Sequence, residues 1–341
     1  MNKLNHLSIN FDVHQRFSGI ENILNIIDPL KESTILDVGG YPASLADFLS
    51  PRRVIVVDHP YLRLKNYIQA SGDALPFKDN SFNIVISSDT LEHIPENNRK
   101  VFLEELLRVA SKHLIIGSPF YSEEVLFCEE LIYNIHLIVE REPHPWLAEH
   151  INYGLPSLKN TEDFFKDKTC DISIFHNGNL EFWFILEAIE NLARGVPEAK
   201  DIFSESMKMI NTFWNAGRDS PPSYRKIILI AKNGEILQKI KESNYQLNQA
   251  VNKNTNIFER IKPLADIFIN IARKIGEQKE MIKSSENLLS KEVLKRMTET
   301  YTAQSKMLIE KENEIQNLKN KIKNIENSFI FKIASRFRRG Q

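Results

Sequence analysis

Residues 35–49 read ILDVGGYPASLADFL, and this stretch decides the fold. An apolar run carries an acid, Asp37, near its end. Two glycines follow, Gly39 and Gly40, and then a helix start at Ser44. A strand that turns through glycines into a helix lets the backbone come close to a bound group, because no Cβ stands in the way. The turn is not the dinucleotide fingerprint G-x-G-x-x-G. Counted from Gly39, the other two glycines of that motif fall on Tyr41 and Ser44.

Outward from this turn, residues 54–60 (VIVVDHP) form a buried strand ending in Asp58, where an acid can accept both hydroxyls of a ribose. Residues 70–77 (ASGDALPF) set Asp73 before an apolar pair, a placement that suits an amino group and a flat ring. Residues 82–94 (FNIVISSDTLEHI) read as a strand leading into a polar, acidic helix start. Further strand-like runs lie at 34–38, 113–117, 171–176 and 225–231, with helical patterns between them, as at 20–30 and 97–110. Solid apolar strands alternating with helices indicate an α/β domain whose parallel sheet is covered on both faces.

The ordered set resembles the class I S-adenosylmethionine-dependent methyltransferases, in the branch whose signature runs G-D-x-x-x-L-P-F, F-D-x-V and L-E-H. Here these appear as GDALPF, FNIV and LEH. The resemblance is close over about residues 15–120 and extends as fold to about 235. It implies a Rossmann-like, doubly wound, seven-stranded sheet with S-adenosylmethionine as cofactor. Asp37, Gly39 and Gly40 would form the loop under its methionine part, Asp58 would hold the ribose, Asp73 and Ala74 would meet adenine, and Ser88 would lie near the sulfonium. The sequence departs from the family pattern at Tyr41 and Ala43, where glycines are common, and at Asn83, where an acid is usual. Only 15 positions separate Asp58 from Asp73, so the helix normally between them should be short or irregular. The glycine loop, the short connection after Asp58 and the SSDTLEH segment together look like methyltransferases of bacterial and archaeal surface-glycan and O-antigen clusters.

Such folds carry substrate elements after the fifth strand, here residues 118–170. His144, Trp146, Glu149, His150 and Tyr153 cluster there in a proline-bounded stretch. A histidine serves as general base near pH 7 without much tuning, so His144, His150 and His93 of the LEH segment are the candidate catalytic residues. Trp146 or Tyr153 suits a sugar face. His144, Glu149 and His150 are zinc-ligand types, but their spacings match no helical metal pair, and no metal is expected.

The formal net charge of -1 is a poor description of either half. Residues 236–341 hold 21 Lys+Arg against 12 Asp+Glu, or +9, which leaves -10 for residues 1–235. The acidic half argues against nucleic-acid methylation, since it repels phosphates. The positions after the fourth strand, SSDT, also lack an N-P-P-Y-like tetrapeptide. Two cysteines, Cys128 and Cys170, exclude a disulfide scaffold and fit a cytoplasmic protein. The N-terminus has no unbroken apolar h-region, so a secretory signal is not expected, and no apolar stretch is long enough for a spanning helix.

Three parts follow: a methyltransferase domain over 1–235, a helical coiled-coil region over 236–325 with a break near Pro263, and a basic amphipathic end over 326–341. Thirteen of the 14 prolines lie in the first part. The coiled-coil seam runs Tyr301, Leu308, Ile315 and Ile322, with Gln304, Lys311, Leu318 and Ile325 at the second position. The seam predicts a homo-oligomer. The end segment, with Phe329, Ile330, Ile333 and Phe337 beside four basic residues, suits a peripheral contact with an inner membrane surface or a glycosyltransferase. The expected function is methyl transfer to an oxygen acceptor, a sugar hydroxyl of a cell-surface glycan or glycolipid intermediate. The competing expectation is a weakly catalytic or non-catalytic scaffold that organises a glycan-biosynthesis assembly through its coiled coil.

Overall fold

The computed structural model describes residues 6–42, 44–140, 142–194, 196–213, 219–232 and 299–321. The chain forms two compact units, Met1–Gly276 and Glu277–Gln341.

The first unit is built on one seven-stranded sheet: β1 (Thr34–Val38), β2 (Arg53–Asp58), β3 (Tyr67–Gln69), β4 (Phe82–Ser88), β5 (Ala110–Pro119), β6 (Asp171–Asn179) and β7 (Ser223–Ala231). Their order across the sheet is β3-β2-β1-β4-β5-β7-β6. The first five are parallel, with Ile35 beside both Val54 and Ile84. β7 runs antiparallel between β5 and β6, which corrects the expectation of a wholly parallel sheet. A strand buried on both faces reads as an apolar run whichever way it points, so direction was not encoded in that signal. The short edge strand β3 has no apolar run and was not expected. No helix intervenes between Asp58 and Asp73, in keeping with their close spacing.

Strand order reverses between β1 and β4. Chain order runs outward from β1 through β2 to β3, then restarts on the other side. The crevice at the carboxyl ends of β1 and β4 is where such sheets bind ligands.

Helix α1 (Phe11–Ile27) is capped by Asn10, whose side chain accepts from the Asp12 amide at 2.8 Å. Its Phe17, Ile20 and Leu24 pack on Ile35, Val56, Ile84 and Ile86 from one sheet face. On the other face Phe102, Leu103 and Leu106 of α3 (Glu96–Val109) meet Leu36, Val38 and Val85. Helix α2 (Ser44–Phe48) follows the glycine turn. A third apolar cluster joins α1 to α4 (Glu123–Glu140), α5 (Pro145–Tyr153), α7 (Leu180–Arg194) and α8 (Pro197–Phe213). Helix α6 (Leu158–Asp167) starts at Ser157, which caps the Asn160 amide. No described helix is long and apolar enough to cross a membrane.

In the second unit residues 299–321 form one helix. Tyr301, Leu308, Ile315 and Leu318 are exposed on it. Ile322, Ile325, the break near Pro263 and the basic end lie outside the described residues, so a coiled coil is not shown.

Candidate active site

A cavity of about 810 Å³ opens at the carboxyl ends of β1 and β4. Nine of the ten residues singled out from the sequence line it: Asp37, Gly39, Gly40, Asp58, Asp73, Ser88, His93, His144 and His150. Ala74 does not. It is exposed in a turn whose amide bonds Ser71 O at 3.2 Å.

Gly39 has φ +79°, a conformation that costs side-chain-bearing residues energy, and a Cβ there would stand 2.3 Å from Thr90 Oγ1. A Cβ on Gly40 would stand 2.1 Å from Asp37 Oδ2. Asp37 is buried, and its Oδ2 has no hydrogen-bond partner among the described residues. Burial pushes its pKa up to about 7, with Arg16 opposing and Asp58 adding to the rise. A buried acceptor thus stands open beside a turn that leaves no room for a Cβ.

Asp58 accepts the Tyr41 amide at 2.9 Å through Oδ2 and the His59 amide at 2.6 Å through Oδ1. It therefore also fixes the turn, and each carboxylate oxygen retains capacity for a second donor. Asp73 accepts the Ser71 hydroxyl. The Ser88 hydroxyl is buried and has no hydrogen-bond partner among the described residues.

Opposite this wall stand the histidines. His93 sits in a 3-10 turn, Leu91–His93, and its Nδ1 lies 2.8 Å from Glu149 Oε2. His150, on α5, has Nδ1 3.0 Å from Glu129 Oε1, and its buried Nε2 has no partner among the described residues. The two rings are 4.8 Å apart, and the Trp146 ring meets His93 edge-on at 5.5 Å. Burial, and then His150, lower the His93 pKa, against Glu149 and Asp89. For His150 burial also opposes charge, but the Glu129 hydrogen bond and the nearby carboxylates outweigh it and raise the pKa. His144 has a structural duty instead. Its Nδ1 accepts the Leu147 amide at 3.3 Å and caps α5, while burial and then His136 hold its pKa down at about 4.

Several residues of the site were not singled out from the sequence. Glu92 is 1% exposed, accepts the Ser118 hydroxyl at 2.8 Å, and is pushed up to about 8 by burial and then Asp89. Arg225, also 1% exposed, spans Asp89 and Asp12. Glu129 lies on the buried stripe of α4 with Val125, Ile132 and His136, a helical spacing visible in the sequence. An acid on an apolar stripe is the signal that could have marked it.

Residues 39–115 match a family described as a methyltransferase domain. An uncharacterised methyltransferase of Mycobacteroides abscessus is 34% identical over 96 residues, a match covering 24% of this chain and 36% of that protein. The chain thus spans about a third of that relative's length. Among solved structures, the YcgJ protein of Bacillus subtilis is 17% identical with a TM-score of 0.38, over 62% of this chain and 99% of that one. The magnesium protoporphyrin IX methyltransferase of Synechocystis PCC 6803, solved with bound SAH, is 12% identical with a TM-score of 0.40, over 66% and 89% of the two chains. The matched residues 39–115 hold the glycine turn, Asp58, Asp73, Ser88 and the Leu91–His93 turn, so the similarity to a methyltransferase domain falls on the wall of the cavity described above.

Proposed function

We propose that this chain transfers the methyl group of S-adenosylmethionine to an oxygen acceptor, a sugar hydroxyl of a cell-surface glycan or glycolipid intermediate. The observation that carries this reading is the continuity of one cavity from the glycine turn to the Glu92–His93–His150 cluster. Asp37, Gly39 and Gly40 would take the methionine part of the cofactor, Asp58 the ribose, and Asp73 the adenine edge; Ala74, outside the cavity, is left out of this assignment. Ser88 would face the sulfonium. Bound there, the cofactor supplies an electrophilic methyl group.

The chain's own part is to align the acceptor and exclude water. Alignment of two reactants can supply up to about 7–11 kcal/mol of a barrier. The Nδ1 atoms of His93 and His150 are engaged by Glu149 and Glu129, so the ring nitrogens left for the acceptor are both Nε2. Trp146, exposed beside His93, offers a flat apolar face to a sugar ring.

Calorimetry with S-adenosylmethionine and with its demethylated product tests the reading. Binding in the micromolar range is expected, and no heat at millimolar concentration would overturn it. The affinity should depend on pH. Below about 7 the Asp37 carboxyl is protonated and must lose its proton to receive a cation; above it the carboxylate is ready. Affinity should therefore rise with pH, by at most about tenfold per unit on the acid side. In Asp37→Asn it should be weaker and flat across the same range.

For the tail we propose self-association through the stripe of Tyr301, Leu308, Ile315 and Leu318. Their exposures run from 51% to 65%, too large an apolar seam to leave in water on a helix this polar. Sedimentation should show an oligomer for the full chain and a monomer for a chain ending near Asn233. A monomeric full chain would remove this proposal without touching the first.

A further inference from the structure

The Glu92–His93–His150 cluster has the make-up of a metal centre. One donor atom from each residue lies within 4.8 Å of the other two. Glu92 and His93 reach it from the turn after β4 and His150 from α5, so the fold rather than a local repeat brings them together.

Three observations distinguish it from a chance group of polar side chains. First, both histidines are oriented by carboxylates at Nδ1, Glu149 at 2.8 Å and Glu129 at 3.0 Å. Histidine ligands are held in this way in metal sites, because the outer bond fixes the ring and directs Nε2 inward. Second, the His150 side chain is 6% exposed and its Nε2 has no partner among the described residues. A buried ring nitrogen left open is costly unless something fills the position. Third, Glu92 is held in place by the Ser118 hydroxyl. Among the described residues no lysine or arginine forms a salt bridge with Glu92, Glu129 or Glu149. Of the arginines around the cavity, Arg225 and Arg16 are committed to Asp89 and Asp12, and Arg99 donates to the carbonyls of Ile94, Tyr153 and Gly154.

We propose that Glu92, His93 and His150 bind a divalent cation of the zinc or manganese class, which holds and ionises the acceptor hydroxyl. Two imidazoles and one carboxylate favour such ions over magnesium or calcium, and three protein ligands leave a position open for substrate. Ligands at about 2.1 Å from a tetrahedral ion stand about 3.4 Å apart, so loading draws the donors in by up to about an ångström and a half. The bound cation lowers the hydroxyl pKa, and its proton leaves to water. The C–O bond then forms as the bond from sulfur to the methyl carbon breaks, and that electron pair stays on sulfur. The cation's role in catalysis rests on the methyl-transfer reading; the ion site itself does not.

The test is titration of the chelator-treated full chain with Mn²⁺, followed by the paramagnetic resonance of the free ion, with Co²⁺ absorption as a second probe. One ion per chain is expected. Glu149 is 43% exposed, so Glu149→Gln should fold normally, yet it should weaken binding by about 10–100-fold. Glu92→Gln should abolish binding while circular dichroism stays unchanged. The site is overturned if the folded wild type binds neither Mn²⁺, Co²⁺ nor Zn²⁺ below about 1 mM, or if Glu92→Gln and Glu149→Gln bind as wild type does. Cation binding without any cofactor binding would sink the methyl-transfer reading and leave the site standing. Cofactor binding without cation binding does the reverse.

Discussion

A Gly40→Ala protein should lose at least about a hundredfold in affinity for S-adenosylmethionine, roughly 2.7 kcal/mol. The added methyl carbon would sit 2.1 Å from Asp37 Oδ2, 2.6 Å from its Cγ and 2.9 Å from Val56 Cγ1. Neither neighbour can yield easily. Val56 is sealed in the sheet core, and Asp37 is a short side chain, 2% exposed, projecting from β1. Either the carboxylate turns away from the crevice or the turn itself shifts. Both move the groups that face the cofactor, and overpacking of this kind adds about 1–3 kcal/mol of lost stability. Gly39→Ala reaches a similar end by a different route. Its Cβ would strike Thr90 on the loop after β4, and its φ of +79° penalises any side chain. Calorimetry on the two variants, with thermal melts as the fold control, decides the matter. An affinity within twofold of wild type for Gly40→Ala would mean that Asp37 and its turn do not touch the ligand.

The glycine turn was legible because its chemistry is local. An acid, two glycines and a helix start occupy neighbouring positions, and the backbone conformation follows from their order. The same holds for β1, β2, β4 and β5, whose apolar runs predict strands to within a few residues. The acceptor side was legible only in part. His93 and His150 stood out as residue types, but Glu92 reads as one more acid in a polar helix start, and its burial comes from α5 folding over the Leu91–His93 turn. His144 looked equivalent to His150, and only the helix start separates them: Pro145 places His144 at the cap and turns its ring nitrogen to the backbone. The carboxylates that orient the histidines come from α4 and α5, and sequence spacing carries no record of that approach.

Arg225→Met should cost about 3–5 kcal/mol of folding stability, the largest effect expected from one substitution outside the cofactor turn. The guanidinium is 2% exposed. It donates to both oxygens of Asp89, at 2.7 and 2.8 Å, and to both oxygens of Asp12, at 2.7 and 2.6 Å. Methionine fills much of the volume but leaves Asp12 without this partner and Asp89 with Arg16 alone. Removing one member of a buried ion network is expensive because the remaining charges stay desolvated. Arg225→Lys should recover only part of the loss, since an ammonium cannot address two carboxylates as a planar fork does. The network also carries functional weight. It ties β7 to the first turn of α1 and to the loop that follows Ser88, and that loop leads into the Leu91–His93 turn. Charge from Arg225 and Arg16 outweighs burial and holds the Asp89 carboxyl at about 2, so it stays ionised and paired over the working pH range. Urea unfolding followed by tryptophan fluorescence measures the stability, and Mn²⁺ titration of the folded variant reports whether the turn has moved. A loss below about 1 kcal/mol, within the range of an exposed ion pair, would show that solvent reaches this network and that Arg225 does not anchor the loop.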